Sequence, residues 1–540
     1  MESTSPAQPD TVSQPEAPAA SRYSLRWLFF PLALLYHELL LRAFDSGTVF
    51  FDAALAPTAL TALGLGLLIS LLANALPCRR VSRWAVLTLT LLWTVYVCVE
   101  YCCKSYFKSY FALTFMVTMT GHVVGDFAGT IPDVVLPRLP FILLALVPPV
   151  LAIVLRRRIV PEVSMGRRGL LVLALLALLT LGGGDAIGRF GPSAALFTYD
   201  FNTNSAVPRF GLNTALRLEL TYAVTGVPTP PLEPLPEPDP EPEPEPTPVD
   251  YGYNMLDIDF TALAESTGDS TLASLHRYMA ARTPSRRNQY TGMFAGKNLI
   301  LLTAESFSPW FISQELTPTL YRLTHEGFVF SNYYQPGWGQ STTGGEFAVL
   351  TGLLPTWVGG DVSFWASRYD YMPLALGYQF RALGYQTPAW HNNTYNYYGR
   401  NATHPNLGYD YEGIGSGLTL ATQDSSWPYS DLEMLEATLD SYADTYLTTG
   451  QPFHAYYMTV SGHGSYNWGQ SMAAKNRAAA EAAYPNASAP VQAYVAANLE
   501  LEAALTYLVD QLEARGIADD TVICLSADHY PYGLTDEEYS

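Results

Sequence analysis

Hydrophobic positions along this chain fall into two regimes. Across roughly the first 190 residues they gather into long unbroken runs; from about residue 290 they come as short, strand-length runs between stretches with helical spacing. Five of the long runs, at 23–43, 55–76, 84–103, 139–155 and 169–183, reach or approach the ~20 apolar residues that cross a bilayer. The last two are short. The fourth holds Pro148 and Pro149, which lipid tolerates only where neighbouring groups satisfy the freed backbone. The pattern predicts an N-terminal five-helix transmembrane domain. In the second regime, NLILLTA (298–304), YQTPAW (385–390), FHAYYMTV (453–460) and TVICLSA (521–527) predict strands. TPTLYRLTHEGF predicts a Thr-capped helix, and 491–516 a long amphipathic helix ending at Gly516. Strands alternating with helices predict an α/β domain whose mostly parallel sheet has helices on both faces.

Charge orients the first regime. Arg22 and Arg26 flank the first run, Arg79, Arg80 and Arg83 separate the second from the third, and Arg156, Arg157, Arg158, Arg167 and Arg168 separate the fourth from the fifth. Basic loops stay in the cytosol, so five spans put the N-terminus inside and everything after about residue 184 outside. The chain then divides into a cytosolic tail (1–22), a transmembrane domain (23–183), an extracellular connector (184–290) and a catalytic domain (291–540). Within the connector, 228–248 alternates Pro with Glu, a composition that favours a stiff extended stalk. His37 and Glu38 lie inside the first run and suit either a polar path or a pairing with another helix. The loop 104–138 is partly amphipathic and suits the outer interface. A net charge of −20 excludes a nucleic-acid partner, whose phosphates seek basic surfaces. Of five cysteines only Cys524 lies in the outer part, which therefore has no disulfide of its own.

Ligands of open α/β sheets collect at the carboxyl ends of the strands. The first predicted strand runs into Glu305, the second into Trp390 and His391, the third into Ser461, Gly462 and His463, and the last into Asp528 and His529. Between the first two lies GWGQSTTGGEF (337–347), a turn entering a helical pattern, with Thr342 and Thr343 both placed where a helix N-terminus favours an anion. Each residue alone fits an ordinary cap or strand exit. Together, a Glu, an Asp and a His on separate strand ends suit a divalent cation such as Mn²⁺, Mg²⁺ or Zn²⁺. A hydroxyl beside such an ion suits phosphoryl or sulfuryl transfer.

The ordered set AES (304–306), GQSTTGGEF (339–347), SGHGSY (461–466) and ADHYPYG (527–533), following an apolar anchor, resembles the lipoteichoic acid synthases. These are phosphoglycerol transferases of the alkaline phosphatase/sulfatase superfamily, in the bacterial cell membrane. The resemblance implies a sulfatase-like fold and a divalent metal, Mn²⁺ first, held by Glu305, Thr342, Asp528 and His529. Thr342, four residues before Glu346, matches the catalytic Thr that carries phosphoglycerol covalently. His463 matches a contact to the substrate phosphate. Arg400 in YYGRN falls at a substrate-binding Arg, with Tyr398 and Gly399 where the family has Trp and Asn; His391 joins the same substrate-binding group. The implied partners are phosphatidylglycerol as donor and a glycerol-phosphate or glycolipid acceptor. A sulfatase proper would need a C-x-P/A-x-R nucleophile, which the chain lacks. A phosphoethanolamine transferase would share the anchor and the Thr nucleophile, but that family usually staples its outer domain with several disulfides and one outer cysteine argues against it; a glucan phosphoglycerol transferase would use much the same site, and a non-catalytic envelope protein is the remaining alternative. Family members continue well past the Asp-His pair, so the domain is expected to be C-terminally truncated here.

Overall fold

The computed structural model describes residues 27–45, 48–76, 78–107, 109–113, 134–160, 166–228, 250–334, 341–355, 357–358 and 361–539. The expected cytosolic tail, the start of the first apolar run and almost all of the Pro/Glu stalk lie outside the described residues, as does much of the expected interfacial loop. The apolar runs are helices: α1 (Phe29–Phe44), α2 (Leu55–Ala75), α3 (Arg79–Phe107), α4 (Leu136–Ile159) and α5 (Arg167–Phe190). Among the described residues four of them, α2 to α5, are long and apolar enough to cross a membrane; α1 has 16 described residues, so four spans stand against the five expected. Their outward faces expose residues such as Val154, Leu171 and Leu178, surface that water would penalise and lipid does not.

The stretch expected as a plain connector begins with helices that pack on this bundle. In α6 (Leu212–Thr225), Leu212 and Leu218 are buried with Leu40, Leu41 and Val97. Glu38 has a helix partner rather than a path: its carboxylate accepts from the Leu212 amide (3.0 Å), the Asn213 amide (2.7 Å) and Asn213 Nδ2 (2.6 Å). It thereby caps the otherwise unsatisfied N–H groups that open α6. His37 Nε2 likewise bonds the Ala145 carbonyl at 3.0 Å.

The C-terminal α/β domain is built on six parallel strands, β1 (Asn298–Ala304), β2 (Pro388–Thr394), β3 (Asp410–Ile414), β4 (Gly417–Leu418), β5 (His454–Met458) and β6 (Thr521–Ala527), in the order β4-β3-β2-β5-β1-β6. β1 and β5 read as continuous apolar runs because helices cover both faces. Successive side chains of β1 feed two cores: Ile300 and Leu302 pack with Leu435, Leu439, Leu501 and Leu505, while Leu301 packs with Leu350, Ala389 and Tyr456. The first core is closed by α10 (Asp431–Thr449) and α12 (Ala489–Ala514), the second by α8 (Ser341–Thr351). Two features depart from expectation. Thr317 does not cap α7 (Pro318–Glu326); Glu502 of α12 reaches across and accepts from the Thr319 and Leu320 amides at 2.7 and 3.0 Å. β2 runs on through His391, Asn392 and Asn393, so His391 lies within the strand and not after it. Among the described residues β6 ends the sheet and pairs with β1.

Candidate active site and metal centre

Register builds the site. Ala304 of β1 lies opposite Ala527 of β6, so the next residues, Glu305 and Asp528, leave the sheet side by side. Thr459, just past β5, accepts the Glu305 amide on its Oγ1 at 3.0 Å and ties the end of β5 to that of β1. Glu305, Asp528 and His529 each offer a ligand atom within 4.8 Å of the others, and all three are buried. His529 Nε2 lies 3.3 Å from Glu305 Oε1 and 3.2 Å from Asp528 Oδ2. Thr342, in the first turn of α8, completes the cluster with Oγ1 3.4 Å from both Glu305 Oε2 and His529 Nε2.

Electrostatics fit a cation. Burial works against ionising Glu305, yet the His529 charge beside it overrides burial and holds the carboxyl below the usual range. Burial and the Glu305 charge together push Asp528 up. Burial disfavours the His529 cation, but the Asp528 and Glu305 carboxylates outweigh it and raise the imidazole. Asp528 Oδ2 is buried and, among the described residues, has the His529 ion pair at 3.2 Å but no hydrogen bond of good geometry. Two acids and an imidazole sharing a dry site are a donor set that a divalent cation satisfies.

Two glycines let the backbone close around the cluster. A Cβ on Gly345 would sit 2.1 Å from the Asp528 carbonyl oxygen, and one on Gly462 would sit 2.4 Å from that of Glu305. The first brings α8, and Thr342 with it, against β6; the second brings the His463 loop against β1. Ser306 adopts a left-handed backbone (φ 52°), uncommon for a residue with a Cβ. In that conformation its amide donates to Asp528 Oδ1 at 2.8 Å and its hydroxyl to Glu305 Oε1 at 2.9 Å. Nothing in A-E-S marks this strain.

The other sequence-predicted residues take several places. His463 is partly buried on the loop past β5, and its Nδ1 bonds the Gly464 carbonyl at 2.5 Å. Arg400 is fully buried and committed to Glu346, with Nε 3.2 and 3.0 Å from the two carboxylate oxygens. Tyr398 stacks beside that guanidinium at 5.4 Å. His391 is buried too, its Nδ1 bonded to the Met458 carbonyl at 2.9 Å, and burial pushes its imidazole down to about 3. As placed, Arg400 and His391 offer a substrate almost no surface; they brace the elements that carry Thr342 and the β5 end. Asp431 is a residue that sequence reading missed. Buried at the start of α10, it accepts from Asn392 Nδ2 (2.8 Å), the Val460 amide (2.9 Å) and the Ser461 amide (3.2 Å) and hydroxyl, so it sets the loop that leads to His463. The only local signal was a capping box, Ser430 to Glu433, which marks the helix start.

Comparison with known proteins finds similarity over the same part of the chain. The family model described as Sulfatase matches residues 297–538. Lipoteichoic acid synthase-like YvgJ of Bacillus subtilis (strain 168) is 22% identical over 280 residues, 51% of this chain and 43% of that protein. Lipoteichoic acid synthase of Staphylococcus aureus (strain USA300) is 23% identical over 302 residues, 52% of this chain and 44% of that one. This chain therefore spans less than half the length of these relatives. Among solved structures, it is similar to lipoteichoic acid synthase LtaP from Listeria monocytogenes (20% identity, 52% of this chain and 63% of that chain, TM-score 0.41). It is also similar to the integral membrane protein lipooligosaccharide phosphoethanolamine transferase A (EptA) from Neisseria meningitidis (13% identity, 94% and 82%, TM-score 0.44). On the family match, this chain carries a domain of the sulfatase family in residues 297–538.

Proposed function

We propose that the protein is a membrane-anchored phosphoglycerol transferase, moving glycerol phosphate from phosphatidylglycerol to an envelope acceptor of the lipoteichoic acid type. The observation that carries this reading is Thr342: a buried hydroxyl in the first turn of a helix, 3.4 Å from both Glu305 and His529. Glu305, Asp528, His529 and Thr342 would hold the metal, Mn²⁺ by preference. When bound, it would lower the hydroxyl's pKa and neutralise phosphoryl charge. Thr342 Oγ1 attacks the phosphorus of the lipid, and the P–O bond to diacylglycerol breaks; the proton lost from Thr342 leaves with that alcohol. An acceptor hydroxyl then attacks phospho-Thr342, returning its own proton to the threonine oxygen. The α8 amides favour the anion during both steps, and His463 contacts the phosphate. The positive-inside pattern supports an outward-facing catalytic domain, where donor lipid and envelope acceptor meet.

The experiment is incubation of the full chain with labelled phosphatidylglycerol and Mn²⁺, with wild type beside Thr342→Ala. Release of diacylglycerol together with a labelled protein adduct is expected for wild type and neither for the variant. No release by wild type sinks the reading, and equal release by both removes Thr342 as nucleophile.

A further inference from the structure

The last turn of α3 touches the catalytic domain at the rim of the metal cluster. Tyr106 Oη donates to Ser465 Oγ at 3.2 Å. The Phe107 ring meets Tyr532 edge-on at 5.1 Å, and the Tyr106 ring lies 6.3 Å from the same tyrosine. Both partners flank the site: the Tyr532 ring is 4.5 Å from that of His529, and Ser465 is two residues past His463. Tyr106 is buried although it stands at a helix end. A second membrane helix joins in through its leading turn, where Arg138 lies over the Tyr106 ring at 5.9 Å and donates to Ser105 Oγ at 3.0 Å. This brings a cation to the same rim.

Length places the contact. The 29 residues of α3 extend ~43 Å at 1.5 Å each, beyond the ~30 Å hydrocarbon core. Arg79, Arg80 and Arg83 occupy one end and the aromatic pair the other, where tyrosine rings settle among headgroups. We infer that this last turn forms one wall of the active-site mouth, so that the site takes a lipid headgroup at the membrane surface. Tyr106 is a positioning residue that steadies the His463 loop through Ser465, and Phe107 steadies Tyr532 against His529. The inference rests on the lipid-donor reading above.

Two measurements on the full chain in lipid vesicles test it. Tyr106→Cys is combined with Ser465→Cys, and a protease site is inserted within 229–249. Because the contact is made by the tip of the Tyr106 side chain, the two thiols lie beyond disulfide reach and are bridged with a short reducible bis-methanethiosulfonate reagent. After bridging and cleavage, the two halves of the double-cysteine protein should stay joined until reduced. The single-cysteine variants should fall apart, which controls for Cys102 and Cys103 nearby. Separated halves in the bridged double variant overturn the wall, whatever the activity does. A cross-link in a protein that transfers nothing supports the wall and refutes the donor. Second, Tyr106→Phe and Ser465→Ala should each lower kcat about threefold, and the double variant no further, because one hydrogen bond is lost in all three. Tyr106→Phe keeps the ring, so it isolates the bond from the packing. Multiplying losses in the double variant overturn the positioning role.

Discussion

Replacing Glu346 with alanine should destabilise the catalytic domain by an amount that two routes agree on. Glu346 and Arg400 are both fully buried, with Nη2 3.0 Å and Nε 3.2 and 3.0 Å from the carboxylate oxygens. His404 Nε2 at 3.1 Å and Tyr456 Oη at 3.3 Å complete the shell. Removing one partner of a buried pair strands the other charge, at a cost of about 3–5 kcal/mol. Independently, burial opposes ionisation of Glu346, while Arg400 and His404 hold it down from 4.5 to about 2. That depression corresponds to roughly 3 kcal/mol. For a domain of this size each kcal/mol moves the melting temperature by about 2–4 °C, so Glu346→Ala should melt about 6–20 °C lower. Thermal unfolding of the detergent-solubilised chain, followed by tryptophan fluorescence, measures it; Trp390 is buried in the affected domain. The double variant Glu346→Leu with Arg400→Met should recover most of the loss, because an apolar pair of similar volume leaves no orphaned charge. The pH dependence has a fixed sign. The folded pKa lies below the unfolded one, so the stabilisation is complete above about pH 4.5 and is lost as pH falls through about 2. The gap between wild type and Glu346→Gln should close over that window. A single-variant shift under about 3 °C, or a double variant as unstable as the single, would refute the reasoning.

Three further outcomes follow from the same geometry. Mn²⁺ at about a hundred times its dissociation constant should stabilise wild type by about 2.7 kcal/mol, a melting shift that a chelator reverses and that Asp528→Asn lacks. Gly345→Ala places a methyl 2.1 Å from the Asp528 carbonyl oxygen, so it should cost about 1–3 kcal/mol and diminish labelling of Thr342. Glu38→Ala uncaps α6 and should cost about 0.5–2 kcal/mol, seen as faster amide exchange at Leu212 and Asn213.

What the sequence made legible is what local pattern carries. β1 and β6 are legible with their bounds because four apolar residues run unbroken in each, Leu299 to Leu302 and Val522 to Leu525, with an acid three residues on. The long helix is legible within two residues at each end from its amphipathic spacing and the Gly516 that follows it. The second strand was cut short at His391 because HNN looks like a loop; those polar groups are buried only through partners far away, Met458 and Asp431. β3 and β4 were missed outright: each is short and they hold Gly413 and Gly417, which weaken any strand signal. The Glu346–Arg400 pair spans 54 positions, so no spacing rule could reveal that the arginine looks inward to a carboxylate. Arg400, which the resemblance assigns to substrate binding, has its guanidinium paired with Glu346 of α8.

The order of assembly gives the metal a structural consequence beyond chemistry. β6 carries two of the three clustered ligands, Asp528 and His529, just past its C-terminal end. That end sets Asp528 against Glu305 in a dry site. Repulsion between Glu305 and Asp528 opposes the Ala304–Ala527 register, and the proton drawn onto His529 offsets only part of it. A divalent cation reverses the sign of that interaction and cross-links the ends of β1 and β6. The same cation would pull α8 against β6 through Thr342, across the gap that Gly345 leaves open. Metal binding and docking of the last strand are then one equilibrium. Amide exchange at Val522 to Ser526 should slow on adding Mn²⁺ far more than exchange in β5, and uniform slowing would break the link.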